Sequence, residues 1–223
     1  GEFGGGQPGR GALGGVVGRL AYVFLMDEPL SNLDAKLRVH MRSELTELHA
    51  RLKSTFIYVT HDQIEAMTMS DRVAVMDAGR ILQLGTPSEL YAQPASLKVA
   101  QFIGSPAINL LPATIAEGGI VRLAGGTPLA QSPLQAGEAA TIVLRPEALR
   151  VVPRAEAPDD PVLEGRLRRI ENLGAEVMLH VDLPAFDGRT MIVRASAAAG
   201  LAPGAPLALL FDPAALHLFD ASG

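Results

Sequence analysis

Residues Val23-Phe24-Leu25-Met26-Asp27-Glu28-Pro29-Leu30-Ser31-Asn32-Leu33-Asp34 decide how the rest of the chain is read. Four apolar residues run into two adjacent carboxylates, then a proline and a polar loop. So short an uninterrupted apolar run predicts a strand of a parallel sheet, buried on both faces. Pro29 has no amide hydrogen to give a ladder, so the strand ends before it. On open parallel sheets ligands gather at the carboxyl ends of strands, and Asp27 and Glu28 fall at such an end. Adjacent acids there suit two tasks. One holds Mg²⁺ directly or through water, and the other accepts a proton from an attacking water.

Downstream of the acids, Asp34 is placed to cap a helix running to about Lys53. Leu33, Leu37, Met41, Leu45, Leu48 and Leu52 recur at spacings of three or four and form its apolar face. Arg38, Arg42, Glu44 and Glu47 read as a solvated face. Thr55 to Thr60 is β-branched and aromatic and reads as the next buried strand, delivering His61 to the same sheet edge. Asp62 to about Met69 is expected to be helical with Ile64 and Met67 inward. Arg72 to Met76 and Ile81 to Leu84 flank Asp77-Ala78-Gly79-Arg80, a hairpin signal. Thr86-Pro87-Ser88-Glu89 has capping-box spacing with proline at the first helical position, so a short helix follows to about Ala92. A further helix around Ser96 to Phe102 leads to Gly104-Ser105-Pro106, a domain boundary.

Beyond about Ile108 the pattern changes to segments of five to nine residues rich in Val, Leu and Ile, separated by Gly, Pro and Asp turns. The segments are 119–123, 139–144, 162–170, 175–181, 189–194 and 206–211, with 154–161 as a polar loop. Regular short strands of this kind predict a small barrel or sandwich.

Composition narrows the function. The net charge of −5 disfavours a nucleic-acid partner, which normally demands a basic face. The absence of cysteine among 223 residues excludes disulfides and thiolate metal sites and fits a reducing compartment. No apolar run approaches the roughly 20 residues needed to span a bilayer, so membrane association is expected to come through a partner.

The opening stretch resembles the Walker B motif and D-loop of ABC-transporter ATPases, and Tyr58-Val59-Thr60-His61-Asp62-Gln63 resembles that family's switch-histidine loop. From Val23 onward the chain is similar to the carboxy-terminal part of ATPases of the maltose and sn-glycerol-3-phosphate importer subfamily. Tyr58 to Thr68 and Phe102-Ile103-Gly104-Ser105-Pro106 are especially close. Leu144-Arg145-Pro146-Glu147, Glu171-Asn172-Leu173-Gly174 and Phe211-Asp212-Pro213 resemble that subfamily's accessory domain. The resemblance implies an α/β fold: the carboxy-terminal part of a P-loop NTPase domain over 23–107, then an all-β, OB-like accessory domain of the TOBE/MOP type over 108–223.

By that resemblance Asp27 holds Mg²⁺ through water and Glu28 orients and deprotonates the attacking water. His61 hydrogen-bonds the γ-phosphate of ATP, and Ser31, Asn32, Leu33 and Asp34 form the loop facing a second protomer. Residues 1–22 read in isolation as a glycine-rich linker. Against the family, Phe3-Gly4-Gly5-Gly6-Gln7 stands where a Leu-Ser-Gly-Gly-Gln signature is expected, so that Gly5, Gly6 and Gln7 would touch a partner's nucleotide. The serine is absent, and the glycines and Pro8 that follow oppose the helix the family places there.

The sequence contains no Gly-x-x-x-x-Gly-Lys-Ser/Thr, the Walker A loop that cradles phosphates and supplies a lysine and a Mg²⁺-binding hydroxyl. The expectation is therefore a truncated ATP-binding subunit that does not hydrolyse ATP alone. In full-length form it would energise import of a carbohydrate or glycerol phosphate, as a homodimer on transmembrane permease subunits at the cytoplasmic face of the membrane. The alternative from another class is a non-catalytic regulatory or dimerisation module built on the β domain. An oxyanion-binding barrel and a metal hydrolase using Asp27, Glu28, His61 and Asp62 are weaker readings.

Overall fold

A computed structural model describes residues 23–123, 128–132, 134–157, 163–198 and 200–221. Two compact units divide the chain, residues 1–73 and 74–223. Gly5, Gly6 and Gln7 lie outside the described residues.

In the first unit, β1 (Val23–Asp27) and β2 (Thr55–Val59) pair in parallel, with Val23 opposite Thr55 and Asp27 opposite Val59. The crossover between them is α1 (Ala35–Leu52), as a parallel pair requires. Asp34 caps α1 by accepting the Leu37 amide at 2.9 Å, and Lys53 closes it in the left-handed conformation. One face of the pair is covered. Phe24 and Phe56 are register partners with ring centroids 4.8 Å apart, and His49 of α1 meets Phe56 edge-on at 5.0 Å.

The other face corrects the expectation of strands buried on both sides. Val23, Leu25, Ile57 and Val59 are exposed, because no layer among the described residues covers them. α2 (Gln63–Met69) follows, capped by Asp62. Its inward side is also revised: Ile64 is half exposed, whereas Glu65 is buried. A buried carboxylate needs donors, and Glu65 finds them at the end of β2.

The second unit begins inside β3 (Val73–Asp77), which forms a hairpin with β4 (Arg80–Gly85). Ala78 and Gly79 both take positive φ, 46° and 75°, the mirror-image turn that matches strand twist. The helix α3 (Pro87–Ala92) carries the full capping box: Thr86 Oγ1 accepts the Glu89 amide and Glu89 accepts the Thr86 amide. α4 (Leu97–Phe102) is capped by Ser96.

Ten strands then form two antiparallel five-stranded sheets. They are β5 (Asn109–Ala116), β6 (Ile120–Leu123), β7 (Pro128–Gln131), β8 (Ala139–Leu144), β9 (Leu149–Pro153), β10 (Leu163–Asn172), β11 (Val177–Leu183), β12 (Arg189–Ala195), β13 (Pro206–Phe211) and β14 (His217–Asp220). The sheet orders are β14-β8-β5-β6-β7 and β12-β11-β10-β13-β9. Both contribute to one core that includes Leu111, Ile142, Leu144, Leu179, Val181 and Leu209. At the β12 edge Asn109 donates its side-chain amide to the Ile192 carbonyl (2.8 Å) and accepts the Ile192 amide (2.7 Å), so a side chain takes the place of a missing strand. Arg145, buried at the end of β8, donates to the carbonyls of Tyr91 and Ile103 at 2.7 Å each and stacks over the Tyr91 ring at 3.7 Å. This clamp joins α3 and α4 to the β region.

Candidate active site

β1 and β2 run in parallel and end together, which brings Glu28 and His61 into contact across 33 residues of sequence. The Glu28 amide donates to the Val59 carbonyl at 2.9 Å, extending the ladder by one residue. Glu28 then turns with φ of 44°, a conformation that L-residues seldom adopt outside functional or strained sites. Its carbonyl accepts from the Ser31 amide (3.2 Å) and the Ser31 hydroxyl (2.9 Å), so the turn is held from both sides. The Glu28 carboxylate is left facing the imidazole of His61, with Oε1 3.0 Å from Nδ1. An ionised carboxylate only accepts, so Nδ1–H donates. Both side chains stay open to solvent, His61 at 71% and Glu28 at 47%.

Behind this pair lies a polar network. Thr60 donates its hydroxyl to Glu65 Oε2 at 2.7 Å, Tyr58 donates to the same oxygen at 3.0 Å, and the Asp62 amide donates to Thr60 Oγ1 at 2.9 Å. Burial, then the hydrogen bond and charge of Glu65, push the Tyr58 phenol well above its ordinary range, so it stays a donor. Arg38, on α1, donates to the carbonyls of Leu33 (3.1 Å) and Ser31 (3.4 Å) and lies 3.6 Å from the Asp62 carboxylate. It therefore ties the loop after β1 to the loop carrying His61, and it does not belong to a purely solvated face.

Glu28, Ser31, Arg38, Thr60, His61, Asp62 and Glu65 line one cleft. Of the residues singled out in the sequence, Glu28, Ser31, His61 and Asp62 meet there. Asp27 ends β1 as an exposed carboxylate, Asn32 lies in the exposed turn, and Asp34 is engaged as the α1 cap. Tyr58, Thr60 and Glu65 were given no role there, and Arg38 only a place on a solvated face. The sequence offers no periodic signal for them, since Thr60 to Gln63 is an unbroken polar run.

The cleft is shallow, with a cavity volume of about 10 Å³, far below the roughly 300–1,000 Å³ of small-molecule sites. Its one cation, Arg38, is already committed to Ser31, Leu33 and Asp62. This lining does not fit a triphosphate. For Mg²⁺, no group of three or more His, Cys, Asp or Glu among the described residues could hold an ion. Asp27 fits only as one carboxylate ligand of an ion whose remaining positions are filled by water and phosphate, a usual arrangement for Mg²⁺.

Residues 142–219, within the antiparallel β region, match the family model described as TOBE domain. The chain as a whole is similar to sn-glycerol-3-phosphate import ATP-binding proteins, called UgpC. It is 45% identical over 222 residues to the one from Chromohalobacter salexigens, with 100% of this chain and 60% of that protein covered. It is 46% identical to that of Yersinia pestis and 47% to that of Ruegeria pomeroyi, in each case over 98% of this chain and 60% of the relative. The chain thus spans about 60% of the length of the curated relatives it matches, corresponding to their carboxy-terminal part. Among solved structures, molybdate-bound ModG, a cytoplasmic molybdate-binding protein, aligns with 49% of this chain and 94% of its own at 19% identity and a TM-score of 0.42.

Proposed function

We propose that this chain is the water-activating, carboxy-terminal portion of an ABC-importer ATP-binding subunit that energises uptake of sn-glycerol 3-phosphate or a carbohydrate. The single observation carrying this reading is the 3.0 Å contact between Glu28 Oε1 and His61 Nδ1 at the ends of two parallel strands. Similarity to the importer subunits supports the same reading.

In this mechanism Glu28 accepts a proton from the attacking water on its exposed carboxylate, with the positive-φ turn fixing where that carboxylate points. His61 steadies the ionised carboxylate through Nδ1–H. A general base placed in this way contributes about 10²- to 10⁴-fold. Phosphoryl transfer otherwise depends on positioning and charge stabilisation, and the cleft lining supplies neither a lysine nor a glycine-rich loop for this. Mg²⁺, when bound, would neutralise charge at the phosphates, and Asp27 would hold it through water.

Ser31, Asn32, Leu33 and Asp34 are proposed to face a second protomer, and Gly5, Gly6 and Gln7 a partner's nucleotide. The subunit would sit at the cytoplasmic face of the membrane through transmembrane permease subunits. Among the described residues no helix is long and apolar enough to cross a membrane. Residues 23–107 are proposed as the ATPase-derived part and 108–223 as the accessory domain. A second reading, a regulatory or dimerisation module, is favoured by the β region's having a core of its own.

The test is a chimera in which this chain replaces the matching 60% of a UgpC relative. Hydrolysis of Mg-ATP by the chimera, lost in Glu28→Gln and lowered in His61→Ala, is the expected result. An active chimera indifferent to both substitutions would refute the assignment.

A further inference from the structure

We infer that Thr60, anchored by the buried Glu65, is a positioning residue that sets the imidazole of His61 against Glu28. The inference rests on the Glu28–His61 pairing proposed above and adds a cause for it. His61 itself is 71% exposed, and its one described side-chain partner is Glu28. Nothing in the ring's own packing therefore fixes its place. The residue before it is fixed. The Thr60 hydroxyl donates to Glu65 Oε2 at 2.7 Å and accepts the Asp62 amide at 2.9 Å. One hydroxyl thus holds the backbone on both sides of His61.

Glu65 is suited to serve as the anchor. It is 3% exposed and sits on α2. The Asp62 carboxylate caps that helix through the amides of Ile64 (2.8 Å) and Glu65 (3.3 Å). A buried carboxylate is held only where donors converge on it, and Tyr58 and Thr60 supply two on one oxygen. Neither Thr60 nor Glu65 is in hydrogen-bond contact with Glu28 or with the His61 ring, so their influence passes through the backbone. The two hydroxyls are not equivalent. Thr60 is adjacent to His61 in the chain, whereas Tyr58 braces Glu65 from within β2.

The experiment reads the His61 ring ¹⁵N and ¹³C signals by long-range correlation NMR on the labelled 223-residue chain, assigned by their loss in His61→Ala. Glu28→Gln supplies the reference position for an imidazole without its carboxylate. Thr60→Val is expected to move the His61 signals to that reference. Thr60→Ser, which keeps the hydroxyl, is expected to return them to the wild-type position, and Tyr58→Phe to leave them there. His40 and His49 signals should stay unchanged throughout and report that the first unit is folded. Thr60→Ala makes the same test should the valine variant not fold. Wild-type His61 signals in Thr60→Val or Thr60→Ala, with Glu28→Gln displaced, would overturn the positioning role and leave the pairing standing. No displacement in Glu28→Gln would overturn the pairing itself.

Discussion

Replacing Arg145 with alanine removes the most heavily engaged side chain of the second unit. Arg145 is 6% exposed, donates to two carbonyls at 2.7 Å and stacks on Tyr91 at 3.7 Å. A hydrogen bond to a charged group contributes about 1.5–3 kcal/mol, and a desolvated cation–π contact about 2 kcal/mol. The gross loss is therefore about 5–8 kcal/mol. Against this stands the cost of burying the guanidinium, several kcal/mol, which burial also shows by lowering the Arg145 pKa. A net destabilisation of about 3 kcal/mol follows, which for a unit of this size lowers Tm by roughly 6–12 °C. Urea unfolding followed by amide exchange in α3 and α4 is the assay, since those helices lose their tie first. Arg145→Lys keeps the charge but cannot fork to both carbonyls, and it should fall between wild type and alanine. An alanine variant within about 0.5 kcal/mol of wild type, with unchanged exchange in both helices, would refute the clamp.

Other substitutions test the packing around it. A Cβ on Gly165 would lie 2.4 Å from Val181 Cγ1 and 2.9 Å from the Asp182 carbonyl, so Gly165→Ala should cost about 1–3 kcal/mol, read as a lower urea midpoint. Asn109→Leu removes both bonds to Ile192 and should cost about 2 kcal/mol, with faster exchange of the Ile192 amide. Burial, with the nearby charge of Arg145, holds the His217 imidazole below its ordinary 6.5. The unfolded chain therefore binds the extra proton first as pH falls. His217 contributes stability that is full above about pH 6.5 and lost as pH falls towards its lower native value, and His217→Gln should flatten the fall in Tm below pH 6.5.

Much of this architecture was legible because local chemistry and global fold agree. Asp34, Thr86 and Ser96 are side-chain caps whose reach is one turn, and Ala78-Gly79 is a turn whose backbone demand is met within two residues. Glu28 and His61 were legible because strand ends collect polar groups whatever lies between them. Strands β5, β7, β9 and β14 were not read. β5 carries Pro112, which in the sheet sits opposite Thr141 of β8, one residue before the β6 pairing begins at Ala113. Among the described residues Pro112 is paired on the β8 side alone, and that is a fact of register. The openness of Val23, Leu25, Ile57 and Val59 and the burial of Glu65 have the same origin. Apolar and polar patterns state what a residue prefers, while the layers actually present decide what it gets. Arg38 shows this most plainly: on a helical wheel it is a surface cation, and in the fold it joins two loops.

The division of labour proposed here puts water activation in this chain and the grip on a triphosphate outside its cleft. The most direct measurement is phosphate release from Mg-ATP by the 223-residue chain alone, with Glu28→Gln alongside. Release indistinguishable between the two, at the level of buffer, is the expected result. Sustained turnover by the wild-type chain that Glu28→Gln abolishes would contradict it.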